Sequence, residues 1–209
     1  LETPYVAQAN DIARRRLQNM LLAYLMRTDD LEILDECVDQ FGVADNMTER
    51  LAALACLVNS SFSNEAEEAL ESFADRFEDD PIVMDQWFSV QAAAVLPDGL
   101  ERVQHLLNHP SFSIKNPNKV RAVVGAFSTQ NTPNFHAHDG SGYAFLADKV
   151  IELDALNPQM AARMLSPLTR WQRFDLHQQE MMQMQLKRIK HSGDLSADLF
   201  EVLEKSLLV

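Results

Sequence analysis

Two arginines, Arg121 and Arg163, each stand about one turn beyond an Asn-Pro dipeptide, Asn116-Pro117 and Asn157-Pro158. An Asn side chain caps the orphan N–H groups of a helix start, and proline at the first helical position is pre-set in φ and lacks a donor that would be wasted there. Each dipeptide therefore predicts a helix with a guanidinium near its positive end. Helical side chains lean back toward the N-terminus, so both arginines can reach the helix start. A cation there gains nothing from the macrodipole. An anion held by the free N–H groups, or a carboxylate gripped by the arginine, would offset that. Asn118, Lys119 and Gln159 accompany the two arginines. The chemistry they suit is recognition of an anionic group such as a peptide carboxylate. On spacing alone, a routine salt bridge to one of the 31 acidic residues accounts for either arginine as well.

The segment Phe135-His136-Ala137-His138-Asp139-Gly140-Ser141-Gly142-Tyr143 is a second candidate. His-x-His followed by Asp can supply metal ligands, but no third and fourth ligand follows at recognisable spacing. The structural alternative is a glycine-punctuated turn in which Asp139 or Ser141 caps the next helix. His105, His109, His177 and His191 are scattered, and the chain has no His-Glu-x-x-His, phosphate loop or nucleophile elbow. Met181, Met182 and Met184 read as packing filler, and Trp87 and Trp171 as core. Read this way, the chain carries no catalytic machinery and no metal site of its own.

The elements that position these residues read as helices. Asn46, Asp80, Asn116, Asn157 and Asp194 each precede an apolar-periodic run, at intervals of 34, 36, 41 and 37 residues. That is the length of one antiparallel helix pair with its turns, close to the periods of helical repeat arrays. Alternate helices then point the same way, and Arg121 and Arg163 fall on one rim. Period-3.6 stripes dominate and no hairpin signal occurs. The expectation is an all-α, α-α superhelix, a right-handed solenoid of about eleven helices in antiparallel pairs, forming one domain over residues 1–209. The first helix is expected over 4–27, opened by Thr3-Pro4, with a stripe of Leu17, Leu21, Leu22 and Leu25. The second, over 31–43, carries Leu31, Leu34, Val38 and Phe41. The last is expected over 195–208. Residues 128–142 read as the longest irregular stretch, and such loops are often functional.

The 209 residues carry a net charge of −13, which argues against nucleic acid or an anionic membrane as partner, because phosphate binding needs clustered cations. No apolar stretch reaches about 18 residues, so no membrane span is expected. Cys37 and Cys56 occupy apolar helical positions and read as reduced core residues in a reducing, cytoplasmic compartment. The chain begins at Leu1 rather than methionine and reads as a piece of something longer.

Five motifs in order resemble a known family: Asn46 to Leu54 (NMTERLAAL), Val83 to Phe88 (VMDQWF), 111–127 (SFSIKNPNKVRAVVGAF), 135–146 (FHAHDGSGYAFL), and Asn157-Pro158-Gln159 through Arg163. Together they resemble the C-terminal helical, HEAT/armadillo-like domain of the bacterial aminopeptidase N family, over essentially the whole chain. The resemblance implies a parent zinc metallo-aminopeptidase that releases N-terminal residues from peptides. Its zinc and His-Glu-x-x-His ligands would lie upstream, in a catalytic domain of the same polypeptide. It implies that this segment is roughly the later two-thirds of a superhelix that caps the active-site cavity and restricts access to it. The motifs carry the family's peptide-contacting positions onto Arg121, Arg163 and Gln159, with Asn118 adjacent. The chain departs from the family pattern at Lys119, usually arginine, and at His138, usually an acid. Alone, the segment is expected to be inactive, and its uncovered first helix pair to favour a non-native dimer. Two other readings stay open on the residues themselves: a freestanding repeat scaffold that binds a partner protein, and a metal enzyme using His136, His138 and Asp139.

Overall fold

A computed structural model describes residues 7–208, and among them only helices, turns and irregular segments occur. The chain groups into two compact units, one ending at Ala94 and one beginning at Val95.

The first unit holds five helices: α1 (Ala9–Leu25), α2 (Leu31–Val43), α3 (Met47–Val58), α4 (Ser63–Phe77) and α5 (Pro81–Ala92). The expected opening at Thr3-Pro4 lies outside the described residues. Within them α1 starts only at Ala9, behind an extended Gln8 that offers no side-chain cap. Asx capping sets the starts of α2, α3 and α5, whereas α4 begins behind Phe62 without a side-chain cap. Asp30 accepts from Glu32 N, Asn46 from Glu49 N, and Asp80 from Ile82 N and Val83 N. At α3 the cap is reciprocal, because Glu49 Oε2 accepts from the Asn46 side-chain amide at 2.7 Å. The α2–α3 pair runs antiparallel. Gln40 Nε2 donates to Glu49 O at 3.1 Å, and Arg50 Nη1 donates to Phe41 O at 2.7 Å. Arg50 is buried and also donates to Ala44 O, so its guanidinium satisfies carbonyls at the C-terminal end of α2. Cys37, Ala53, Leu54, Leu57, Phe88 and Ala92 form the fully buried centre. Leu34 and Phe41 join that core, whereas Leu31 and Val38, expected with them, are exposed. Along α1 only Leu22 of the expected leucine stripe is buried.

The second unit holds α6 (Gly99–Leu107), α7 (Pro117–Val120 continuing through a π-turn Arg121–Gly125 into Ala126–Gln130), α8 (Ser141–Asp154), α9 (Pro158–Met164 continuing into Ser166–Thr169), α10 (Leu176–Lys190) and α11 (Ala197–Leu207). The stretch expected to be irregular is partly helical, since α7 runs to Gln130 and Thr132–Phe135 forms one further turn. Pro133 fits that turn because it stands at its start. Val120, Val123, Val124 and Phe127 on α7 are fully buried. Phe127 meets Phe145 and Phe135 edge to face, with centroids 5.4 and 6.0 Å apart. α11 starts at Ser196, not at Asp194. The Ser196 hydroxyl accepts from Leu199 N and donates to the buried carboxylate of Asp154, which also accepts from Ser196 N at 2.9 Å. Met182 is core, Met181 half-buried, and Met184 solvent-exposed rather than filler.

Candidate functional site

The two Asn-Pro starts form as their residues dictate. Asn116 Oδ1 accepts from Asn118 N at 2.9 Å, and Asn157 Oδ1 accepts from Met160 N at 3.1 Å, each with proline at the first helical positions. Asn118, Arg121, Gln159 and Arg163 all lie in the second unit, and all four are exposed. Arg121 folds back toward the start of its helix, where Nη1 donates to Asn118 Oδ1 at 2.8 Å. Neither arginine makes an ion pair with a carboxylate among the described residues. Arg163 has no hydrogen bond to another described residue either, so its charge is left to solvent or to a ligand.

The helices bearing the arginines touch. A Cβ built on Gly125 would lie 3.9 Å from both Sδ and Cε of Met164. Each of these residues is about two turns beyond its own Asn-Pro start, so the contact joins α7 and α9 at like heights. The α7 backbone widens into a π-turn that begins at Arg121. Such bulges recur at functional positions because they re-aim side chains. Lys119, expected beside the arginines, is buried instead. Its cation adds to burial in holding the His109 imidazole below its ordinary value.

The histidine loop is built differently from a metal centre. His136 Nδ1 lies 2.7 Å from the Tyr143 hydroxyl. Burial holds the His136 imidazole below the usual value, and burial followed by the Asp175 charge pushes the Tyr143 phenol up to about 12. His138 stacks on His177 with ring centroids 4.3 Å apart, and His177 Nε2 sits 2.8 Å from His138 O. Asp139 accepts from Ser141 N at 2.9 Å, and this bond holds its carboxyl below the usual range. The turn therefore positions the start of α8 through Asp139, with Gly140 at φ 71° as the residue before the helix. Among the described residues no three His, Cys, Asp or Glu side chains come together as a metal-binding group. His136, His138 and His177 do line a cavity of about 480 Å³ together with Asp175, Leu176 and Gln178. No local pattern joins His177 to this loop, because the partners lie 39 residues apart.

No helix among the described residues is long and apolar enough to cross a membrane. A family profile described as "Domain of unknown function (DUF3458_C) ARM repeats" matches residues 1–208. Aminopeptidase N from Escherichia coli is 38% identical over 99% of this chain, which corresponds to 24% of that protein. Aminopeptidase N from Haemophilus influenzae is 40% identical over 97% of the chain and 23% of its own length. The chain thus spans about a quarter of the length of these relatives. Among solved structures, Legionella pneumophila aminopeptidase A in complex with aspartic acid superposes on 92% of this chain and 23% of its own, with 37% identity and a TM-score of 0.86. Stacked helix pairs are the ARM-repeat architecture, an α-α superhelix. With the profile spanning nearly its whole length, the chain belongs to the DUF3458_C family of ARM-repeat domains and is similar to the part of bacterial aminopeptidase N that it matches.

Proposed function

We propose that this chain is the C-terminal domain of a zinc-dependent aminopeptidase that releases N-terminal amino acids from peptides in the cytoplasm. In this reading it caps the active-site cavity, limits what can enter, and holds the far end of the peptide. Zinc is bound by the upstream catalytic domain of the same polypeptide, where it supplies a Lewis acid and an activated water. The four site residues have the work of binding and orienting. Arg163 presents an unpaired guanidinium for a substrate carboxylate or backbone carbonyl. Arg121, steadied by Asn118, supplies a second cation on the neighbouring helix. Gln159, in the first turn of α9, offers an amide that can both donate and accept. Holding the distant end of a peptide orients the scissile bond without touching it.

The observation that carries this reading is the pair of exposed arginines without carboxylate partners, on two touching helices, in a chain similar to aminopeptidase N. The test is steady-state kinetics of the full-length protein. Arg163→Ala is expected to raise KM for peptides about tenfold, the worth of one charge-assisted hydrogen bond, and to leave a single-residue chromogenic substrate nearly unchanged. Equal effects on both substrates would refute the role. The 209-residue chain alone is expected to hydrolyse neither.

A further inference from the structure

The first unit contains a pair of thiols that the peptidase reading does not use. Cys37 on α2 and Cys56 on α3 are both buried and both free. The antiparallel register of these helices places them on facing sides, one turn apart. Gln40 pairs with Glu49, Phe41 with Arg50, and one turn further along Cys37 Sγ donates to Ala53 O at 3.5 Å. Cys56 follows Ala53 by three residues and so lies on the same face of α3, one turn along. Cys37 and Cys56 are near enough for each to perturb the other's titration.

We propose that Cys37 and Cys56 are a peroxide-responsive dithiol that closes to a disulfide bridging α2 and α3. The two sulfurs are not equivalent. Cys37 is fully buried, its thiol donates to Ala53 O, and the neighbouring Cys56 sulfur and desolvation both push its pKa up. The Cys37 thiol beside it and the Arg27 cation pull the Cys56 pKa down, against the opposing effect of burial. Cys56 is also 9% exposed, against 0% for Cys37. Cys56 is therefore the attacking thiolate and Cys37 the resolving thiol.

The oxidant is a hydroperoxide. The Cys56 sulfur attacks one peroxide oxygen and the O–O bond breaks. Sulfur becomes a sulfenic acid, and the other oxygen leaves as hydroxide or alkoxide, taking up a proton. The Cys37 sulfur then attacks the Cys56 sulfur, the S–O bond breaks, and the departing hydroxide takes the Cys37 proton as water. Two thiols are oxidised and one peroxide is reduced. A small dithiol reductant reverses the bond by exchange. Disulfides that form inside reducing compartments are characteristically of this transient, redox-sensing kind.

The test uses the natively folded 209-residue chain. Hydrogen peroxide is added, residual thiols are alkylated after denaturation, and the digest is read by mass spectrometry. The expected result is a linked peptide joining Cys37 to Cys56, loss of both alkylation sites, and their recovery with dithiothreitol. In Cys37→Ser, dimedone is expected to trap a sulfenic acid at Cys56. In Cys56→Ser, Cys37 is expected to stay alkylatable. The linked peptide requires no variant, so a variant that fails to fold does not obscure the outcome. Full alkylation of both thiols after a peroxide dose that consumes free cysteine, or links only between chains, would overturn the proposal.

Discussion

Arg163 is a cation at the surface of an acidic chain with no acidic partner among its described neighbours, although 31 carboxylates are available in the sequence. Surface ion pairs are worth little, so their absence costs the fold almost nothing and leaves the guanidinium available. That Arg121, Arg163, Asn118 and Gln159 stand exposed near two helix starts was legible because Asn-Pro fixes where a helix begins, and Arg121 leans back as helical geometry dictates. Lys119 was not, because one residue of helical rotation separates an exposed position from a buried one. His136 carries a pH prediction. Burial lowers its pKa in the fold, and burial with the Lys119 cation does the same for His109. The unfolded chain then takes up more protons as pH falls through about 6.5, so stability is full above that value and declines below it. Thermal midpoints measured from about pH 7.5 to about pH 5 should fall, and less steeply in His136→Gln. An equal slope in that variant would remove His136 as a cause.

Most helices were legible from capping chemistry and period. Asn46, Asp80, Asn116 and Asn157 each accept a backbone N–H where the sequence places a helix start. Asp194 did not, because Ser196 is tied to Asp154 on α8, a partner 42 residues away that local reading cannot see. The π-turn in α7 was equally invisible, since no residue pattern marks it. Gly142 marks the closest approach of a glycine to backbone. A Cβ there would sit 2.4 Å from Phe135 O and 2.7 Å from Phe135 Cα, and a backbone cannot swing aside as a side chain can. Gly142→Ala should therefore destabilise the second unit by roughly 1–3 kcal/mol. Urea unfolding that shows no change would mean the backbone yields freely at this point.

At the scale of the whole molecule, the all-α class followed from the periodicity, and the family from five ordered motifs. The division of the backbone into two compact units at Ala94 was not visible, because no Gly- or Ser-rich linker marks it. The exposed face of α1 carries Leu17, Met20, Leu21 and Tyr24 at helical spacing, each about half exposed or more. A stripe of this kind is what a repeat array presents where a neighbouring helix pair is removed. The 209-residue chain should therefore self-associate through α1, and Leu21→Glu should abolish this in light scattering. A strictly monomeric chain at high concentration would contradict that. In the proposed role Arg121 and Arg163 hold the far end of a peptide, and one comparison tests this directly. In the full-length protein, kcat/KM is measured for a short peptide with a free C-terminal carboxylate and for the same peptide amidated. The wild type should prefer the free acid by about tenfold or more, and Arg121→Ala with Arg163→Ala should erase that preference. A preference that survives the loss of both arginines would rule this role out.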